Sequence, residues 1–263
     1  MLAAADSPLT PIAGGTDLLV SWHHQIKDDW RLLDLSRLTD ELAALKLTDD
    51  ALELGALTTY WDVMRSPEVC AAFPLLLDAA RLVGAIQIQT RGTWAGNIAN
   101  ASPAADGVPV MMAYDAVVVL ASKSGRREVR LDEYYSGYKQ TVRRPEELIV
   151  AIHMPRRTRD FDWFHKVGAR SAQAISKVAV AVVHDQSGWR VVAGAVAPVV
   201  CRCRNMEAAL ERGFKPNSPD DVQAIIEKDI APINDMRSTA AYRTRVLSRL
   251  LFFRLTESRR NSA

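Results

Sequence analysis

The chain has 263 residues, of which 48% are hydrophobic and 24% charged, and its formal net charge is +2 at pH 7. This length and composition predict a globular protein of one large domain or two ordinary ones, and they exclude extensive disorder. The near-neutral charge argues against a nucleic-acid-binding protein, no segment is long and apolar enough to span a membrane, and no secretory leader is recognisable. We therefore expect a cytoplasmic location.

The first hundred residues predict short strands and one long helix, followed by an irregular segment. A strand is predicted to end at residues 12–13, residues 30–38 are predicted to contain a strand followed by a turn, and a further strand is predicted at residues 52–56, with Thr58 and Thr59 as possible helix caps. A helix is predicted to begin at Ser66 and Pro67 and to end at Gly84. Residues 87–106 contain many small side chains without periodicity, which favours an ordered loop.

The rest of the chain predicts more strands and then helices. Buried or alternating strands are predicted at residues 116–122, 124–135 and 146–155. After Arg156 the pattern begins again with antiparallel strands joined by the turn sequence DQSG, and a long basic helix is predicted from about Ser238. This order indicates an α+β chain with two domains, residues 1–156 and 157–263.

The cysteines and histidines do not form a recognisable metal motif. Cys70, Cys201 and Cys203 are too few for a disulfide framework, and their spacing suits neither a redox pair nor an iron–sulfur cluster, so we expect reduced and mostly buried thiols. His23 and His24 are sequence neighbours and would not share a helix face. His153 and His165 lie in predicted strands, where a structural role is expected, and no metal site is predicted.

The segment AGGTD near the start of the chain has the composition of a turn or of an anion-binding loop. Gly14 and Gly15 permit positive φ angles and leave the backbone uncovered, so that successive N–H groups can surround an anion. Thr16 adds a hydroxyl group. The segment is neither a dinucleotide-binding GxGxxG motif nor a P-loop, since no GK[ST] follows. An ordinary turn remains the alternative.

A second segment, TRGTWAGNIANASPAAD, also favours ligand binding. It combines two glycines with asparagine, serine and aspartate, and it carries less charge than most surface loops. Small side chains allow a bulky ligand to approach the backbone closely, and a few polar groups then fix its orientation.

These two segments at this separation resemble the paired flavin-binding motifs of the molybdenum hydroxylase family. The resemblance is to its separate FAD-binding medium subunit, of the xanthine dehydrogenase and carbon monoxide dehydrogenase type. It continues through REVRLDEYYSGYKQTVRRPEELIVAIHMP and FHKVGARSAQAISKVAVA, and so covers essentially the whole chain. It implies an FAD-binding domain of two subdomains, with a vanillyl-alcohol-oxidase/PCMH-like fold, followed by a small α+β domain with an antiparallel sheet.

The resemblance also implies a set of cofactor-binding residues and no catalytic side chain. A first group corresponds to the loop that holds the FAD pyrophosphate, a second to the loop around the phosphates, ribose and flavin, and a third to positions beside the isoalloxazine. The three groups are Ile12, Ala13, Gly14, Gly15, Thr16, Asp17 and Leu18; Thr93, Gly96, Asn97, Asn100, Ser102 and Asp106; and Leu148, Ile149 and Lys166. Strand core is the alternative for Leu148 and Ile149, and a solvated charge is the alternative for Lys166.

The sequence departs from the family pattern at three places. The family usually has two glycines before the asparagine, and here Ala95 replaces the first of them, after the bulky Trp94; a methyl group there is tolerable at negative φ but is expected to crowd the phosphate side. The segment after Lys166 lacks the acidic residues that help to receive NAD in some members. The usual N-terminal strand and helix are missing from this sequence.

The function implied is that of an FAD-containing oxidoreductase subunit. Electrons would come from [2Fe-2S] clusters on a small subunit, fed by the molybdopterin cofactor of a large subunit, and would pass through FAD to NAD or another acceptor. The assembly expected is a dimer of heterotrimers. A stand-alone FAD oxidoreductase of related fold and a scaffold that has lost FAD are the alternatives. The substrate of the complex is not predictable from this chain.

Overall fold

The structure is a computed structural model, and it describes residues 9–20 and 31–260 together with residue 2, with side chains to residue 257. His23 and His24 lie outside these residues. The strands are β1 (Leu9–Ile12), β2 (Arg31–Asp34), β3 (Leu45–Leu47), β4 (Ala51–Gly55), β5 (Val117–Ser122), β6 (Gly125–Arg130), β7 (Tyr135–Gly137), β8 (Gln140–Thr141), β9 (Leu148–Pro155), β10 (Arg159–Val167), β11 (Val178–Asp185), β12 (Gly188–Gly194) and β13 (Cys201–Arg202). The helices are α1 (Thr39–Leu42), α2 (Tyr60–Met64), α3 (Pro67–Ala72), α4 (Pro74–Leu82), α5 (Ile86–Gln89), α6 (Trp94–Ala99), α7 (Gly107–Ala113), α8 (Arg204–Glu211), α9 (Pro219–Ile226) and α10 (Ala240–Arg260).

The strands before residue 156 form an antiparallel sheet in the order β3-β4-β9-β5-β6, and β1 pairs in parallel with β2. β5 occupies an inner position because its β-branched side chains suit a pleated, buried surface. In β4 the alternation of the sequence is reproduced, since Leu52 and Leu54 are fully buried. Helices α2, α3, α4, α6 and α7 contribute to the same core, and α6 of the second predicted loop packs against β9 of this sheet.

The predicted helix from Ser66 to Gly84 is wrong in one respect, because it is two helices. The first ends when the amide of Phe73 donates to Val69 O, and Pro74 begins the second. Proline lacks the N–H that a continuous helix needs, but it is well suited to a first turn.

The prediction of an ordered loop over residues 87–106 is also wrong in part. The short helix α5 overlaps its start and α6 lies within it, with residues 90–93 between the two helices. These helices are too short, and have too few apolar side chains, to show a helical period, so the sequence pattern does not predict them. α6 is held instead by burial of Trp94 and Ile98, both of which are fully inaccessible to solvent.

The C-terminal strands form an antiparallel sheet in the order β10-β11-β12-β13, buried on both faces. On β11, Ala179, Ala181 and Val183 pack into the core shared with the N-terminal helices. The alternate residues Val180 and Val182 pack against α8, α9 and α10 on the other side. This double burial explains the uninterrupted apolar run, and the predicted α+β fold with a C-terminal antiparallel sheet is confirmed.

A cluster of charges also joins the two sheets. Asp115, which follows α7, accepts hydrogen bonds from Arg157 at 2.7 Å and from Arg202 at 3.2 Å. Arg190 lies in β12 with its side chain almost fully buried and pairs with Asp185 of β11. Buried charges of this kind are tolerated because each is paired.

Within the described residues, no helix is long and apolar enough to cross a membrane.

Candidate functional site

The first predicted loop lies directly against the start of the second. Residues 13–17 follow β1, and Gly15 has a φ of 72°, which is a left-handed conformation that glycine adopts without strain. A methyl group on Gly14 would overlap the carbonyl oxygen of Arg91 and would lie 3.1 Å from the amide nitrogen of Gly92. Glycine is therefore required at residue 14 for the two backbones to approach this closely.

Three backbone amides of this loop have no acceptor among the described residues. The amides of Leu19 and Val20 donate to Gly15 O and Asp17 O, as in the first turn of a helix. By contrast, the backbone N–H groups of Gly14, Gly15 and Thr16 donate to none of the described residues. Half-buried amides are normally paired, so three consecutive unpaired ones form a concave donor surface for an anion.

Thr93 fixes the second loop by capping α6. Its hydroxyl oxygen accepts a hydrogen bond from the amide of Gly96 at 2.9 Å, which is the geometry of a helix N-cap. The neighbouring backbone is tied to α2 because Tyr60 N donates to Gly92 O at 3.2 Å and Trp94 N donates to Thr58 O at 3.2 Å. The loop is thus a rigid element, while Gly96 itself is exposed.

Trp94 and Ala95 are both directed into the core of the N-terminal half. Trp94 is fully buried, with its ring centroid 4.8 Å from that of Tyr60, and Ala95 is only 5% exposed. Ala95 lies within α6, so its φ is negative and the methyl group causes no strain. The expectation that the Ala95 methyl group crowds the phosphate side is therefore wrong, because this side chain packs into the core.

The polar side chains of the second loop mostly organise the loop itself. Asn97 accepts a hydrogen bond from the amide of Gly107 at 3.1 Å, and Ser102 accepts one from the amide of Ala104 at 3.3 Å. Asn100 instead reaches across to the first loop, where its amide nitrogen donates to Asp17 Oδ1 at 2.8 Å. The two predicted loops are thus brought together through side chains as well as backbone.

Asp106 and Lys166 form a buried ion pair that joins the second loop to β10. Lys166 Nζ lies 2.5 Å from Asp106 Oδ2 and also donates to Leu82 O at 2.9 Å, while Ser176 donates to Asp106 Oδ1 at 2.6 Å. The Lys166 side chain is 6% exposed, so the alternative of a solvated charge is wrong. Burial raises the pKa of Asp106, and the Lys166 ammonium partly offsets that rise.

The remaining predicted residues have different surroundings. Ile149 is buried within the core, whereas Leu148 is half-buried at the start of β9, the strand against which α6 packs. Burial lowers the pKa of His165, which stacks on Trp163 on the opposite side of β10 from Lys166. His153 faces Glu53 and Glu128 on the five-stranded sheet.

The three cysteines are free, with Cys203 buried and Cys70 and Cys201 half-buried. No group of His, Cys, Asp or Glu side chains in the part of the chain that the structure describes is placed to hold a metal ion.

Two polar residues of this region were not singled out by the sequence. Ser176 completes the ion pair of Asp106, and Lys139 donates to Asn100 from the turn between β7 and β8. Their partners are 70 and 39 residues away along the sequence, so no local pattern of residues predicts the contacts. A lysine two residues after a glycine, in a short turn between two predicted strands, is the one weak signal available.

This arrangement fits the pyrophosphate of a dinucleotide. Three unpaired amides provide donors, Gly14 allows the two loop backbones to approach each other, the backbone at Gly96 is exposed, and the hydroxyl group of Thr16 lies beside Gly92. Pyrophosphate oxygens are strong acceptors that successive backbone amides can hold without any cationic side chain.

Comparisons with known proteins place the chain in a family. Residues 1–157 match the FAD binding domain in molybdopterin dehydrogenase, and residues 163–258 match the CO dehydrogenase flavoprotein C-terminal domain. The carbon monoxide dehydrogenase medium chain of Hydrogenophaga pseudoflava is 29% identical over 95% of this chain and 89% of its own length. The xanthine dehydrogenase FAD-binding subunit of Escherichia coli O157:H7 is 28% identical over 92% and 86%, respectively.

A solved structure of a relative has the same fold over nearly the full length. It is the carbon monoxide dehydrogenase of Hydrogenophaga pseudoflava that lacks the Mo-pyranopterin moiety of the molybdenum cofactor. The match has a TM-score of 0.86 at 29% identity and covers 95% of this chain and 89% of that chain. The chain therefore belongs to the FAD-binding medium subunits of the molybdenum hydroxylase family, of the xanthine and carbon monoxide dehydrogenase type.

Proposed function

We propose that this subunit holds FAD between its two loops and passes electrons through it within a molybdenum-containing dehydrogenase complex. The observation that carries the proposal is the row of unpaired amides at Gly14, Gly15 and Thr16, set against the backbone of residues 91 and 92. Unsatisfied backbone donors reduce stability, and a bound ligand can supply the acceptors that these three amides lack.

The residues divide into those that hold the pyrophosphate and those that face the rest of the cofactor. The amides of residues 14–16 bind the phosphate oxygens, and the exposed backbone at Gly96 closes the opposite side. Asn97 and Ser102 keep the second loop in shape through the hydrogen bonds described above. Ile12, Ala13 and Leu18 flank the first loop and support its position.

The ion pair at the far end of the second loop is assigned to the flavin ring. Asp106 and Ser176 fix the position of Lys166, whose ammonium group favours negative charge nearby. Leu148 supplies an apolar contact at the same end, and Ile149 supports it from within the core. FAD, when bound, supplies one-electron and two-electron redox chemistry, and the chain contributes binding, orientation and electrostatics.

The partners proposed are a small subunit with [2Fe-2S] clusters and a large subunit with the molybdopterin cofactor, in a cytoplasmic dimer of heterotrimers. The lack of a metal-binding cysteine group in the described residues agrees with metal centres on other chains. We propose NAD or another acceptor for the electrons. The domains proposed are residues 1–156 for the cofactor and residues 157–263 for the second domain.

The absorbance spectrum of the chain, co-purified with its partner subunits, tests the proposal. Flavin bands at one FAD per chain are expected, with reduction of the flavin when the substrate of the complex is added. A complex that assembles without flavin, or turnover by the isolated chain on a reducing substrate, would contradict it.

A further inference from the structure

The turn between β7 and β8 brings a cation to the edge of the two loops. Lys139 lies in this turn, in the left-handed conformation with a φ of 56°. The hairpin rests on α6, since the hydroxyl group of Tyr135 donates to Ile98 O at 3.3 Å. The turn is therefore held beside the C-terminal end of α6.

Two hydrogen bonds connect Lys139 to Asn100 in the second loop, and Asn100 contacts the first loop. Its Nζ atom donates to the backbone oxygen of Asn100 at 2.9 Å and also to the side-chain oxygen of Asn100. The side-chain nitrogen of Asn100 in turn donates to Asp17 Oδ1 at 2.8 Å. Asp17 directly follows the three unpaired amides, so the ammonium group lies within one side chain's length of the anion-binding surface.

This chain of contacts has opposite charges at its two ends, Asp17 and Lys139, and the Asn100 side chain connects them. Asp17 places a negative charge beside the loop, which opposes the approach of a pyrophosphate. Lys139 is exposed, and its ammonium group forms no ion pair with any carboxylate in residues 9–20 or 31–257. Among these residues the ammonium group therefore has no direct carboxylate partner and can turn to a ligand.

We propose that Lys139 is a binding residue for the cofactor pyrophosphate, held beside the loop by Asn100 until the anion arrives. This inference rests on the proposed function and extends it to a residue outside both loops. The flexible stem of the lysine allows Nζ to exchange an oxygen of Asn100 for a phosphate oxygen while the hairpin stays in place. Lys139 thereby offsets the repulsion from Asp17.

The test is a titration of the FAD-free full chain with FAD, monitored by the quenching of flavin fluorescence. Lys139→Met is expected to raise the FAD dissociation constant by about 10-fold at low salt, the effect of a lost hydrogen bond from a charged group. The difference should narrow at about 1 M salt, where screening acts within roughly 3 Å. Lys139→Arg should stay within about 3-fold of the unsubstituted chain, because the positive charge is kept.

Lys123→Met is the matched control, because Lys123 is an exposed lysine of the turn between β5 and β6, and it should leave the dissociation constant unchanged. The melting temperature of each FAD-free variant separates binding from folding. The inference is overturned if Lys139→Met binds FAD as the unsubstituted chain does, or if Lys139→Met and Lys139→Arg weaken binding equally and lower the melting temperature. An unsubstituted chain that binds no FAD overturns the proposed function itself.

Discussion

Two turns of this chain each contain a glycine with positive φ, but they differ in whether their backbone amides have acceptors within the protein. In the turn between β11 and β12, the amide of Ser187 donates to Asp185 Oδ1 at 2.7 Å, and that of Trp189 donates to Glu211 Oε1 at 2.6 Å. In the loop after β1, the amides of Gly14, Gly15 and Thr16 have no described acceptor.

The difference separates a structural turn from a binding loop. Glycine content alone does not distinguish them, because both turns contain a glycine with positive φ. What distinguishes them is whether the protein itself satisfies the backbone donors. Substitutions at groups engaged within the protein should therefore reduce folding stability, whereas those at the unpaired amides should reduce cofactor binding.

The largest effect on binding is expected for Gly14→Ala. The added methyl group would overlap Arg91 O, so the two loops must separate and the amides lose their alignment. We expect the FAD dissociation constant to rise by at least about 100-fold, equivalent to about 2.7 kcal/mol, measured by titration of the FAD-free chain.

Gly188→Ala is the matched control in the structural turn. Gly188 has a φ of 97°, so alanine is strained there, and the methyl group would also displace the carboxylate of Glu211. Thermal or urea unfolding should show a loss of about 1–2 kcal/mol, with FAD affinity unchanged. If Gly188→Ala weakens FAD binding as much as Gly14→Ala does, the distinction between the two turns fails.

Lys166→Met should have the largest effect on stability. It leaves the Asp106 carboxylate buried without its cation, which typically costs about 3–5 kcal/mol. Because burial already raises the pKa of Asp106, the loss should be greatest at neutral pH and should shrink as the pH falls and the carboxyl group takes up a proton.

Chemical denaturation at several pH values measures the effect of Lys166→Met. The double variant Asp106→Asn, Lys166→Met should recover part of the stability, because no charge is then left buried. A double variant whose loss equals the sum of the two single losses would show that the ion pair contributes nothing.

Arg127 and Glu147 test an engaged pair far from the cofactor loops. Hydrogen bonds from Arg127 lower the pKa of Glu147 from 4.5 to about 2, so the pair stabilises the fold above pH 4.5 and the stabilisation is lost as the pH falls towards 2. Arg127→Met should cost about 1–2 kcal/mol at pH 7, a value reduced by the partial exposure of Arg127.

Arg126→Met, on the same strand, provides the control, since Arg126 is exposed and makes no ion pair with a described residue. Denaturation followed by circular dichroism at a series of pH values should show Arg127→Met to be less stable than Arg126→Met above pH 4.5. Near pH 2 the two variants should be equally stable. A constant difference across that range would refute the assigned role of the Glu147 carboxylate.

The smallest effect is expected for Thr93→Ala, which removes the cap of α6. Loss of a threonine cap costs about 1 kcal/mol of stability, read from the unfolding midpoint. FAD affinity should fall by only a few-fold, because the backbone of residues 92–94 keeps its hydrogen bonds to Thr58 and Tyr60. Thr93→Ser should restore stability.

Local patterns were sufficient for elements whose stabilising contacts are local. The alternation of Leu52 and Leu54 predicted β4, and Thr59 caps α2 with Asp62 in a capping box, as its position suggested. The boundary between α3 and α4 at Pro74 was also predictable, since proline rarely continues a helix. It was missed because the flanking segments share an apolar stripe.

The candidate site was only partly predictable, for a physical reason. The resemblance identified both loops, yet the partners of Lys166, Asn100 and Lys139 lie far away in sequence. Side chains that meet through the tertiary fold leave no periodic or local signal. The burial of Trp94 and Ala95 likewise depends on how α6 sits against α2, which spacing does not reveal.

A structure of the FAD-bound subunit is the most direct test of the account. The pyrophosphate oxygens are expected about 2.7–3.2 Å from the amide nitrogens of Gly14, Gly15 and Thr16, with the turn between β11 and β12 unchanged. A pyrophosphate bound elsewhere, with these three amides still lacking acceptors, would contradict the central claim that they form the cofactor site.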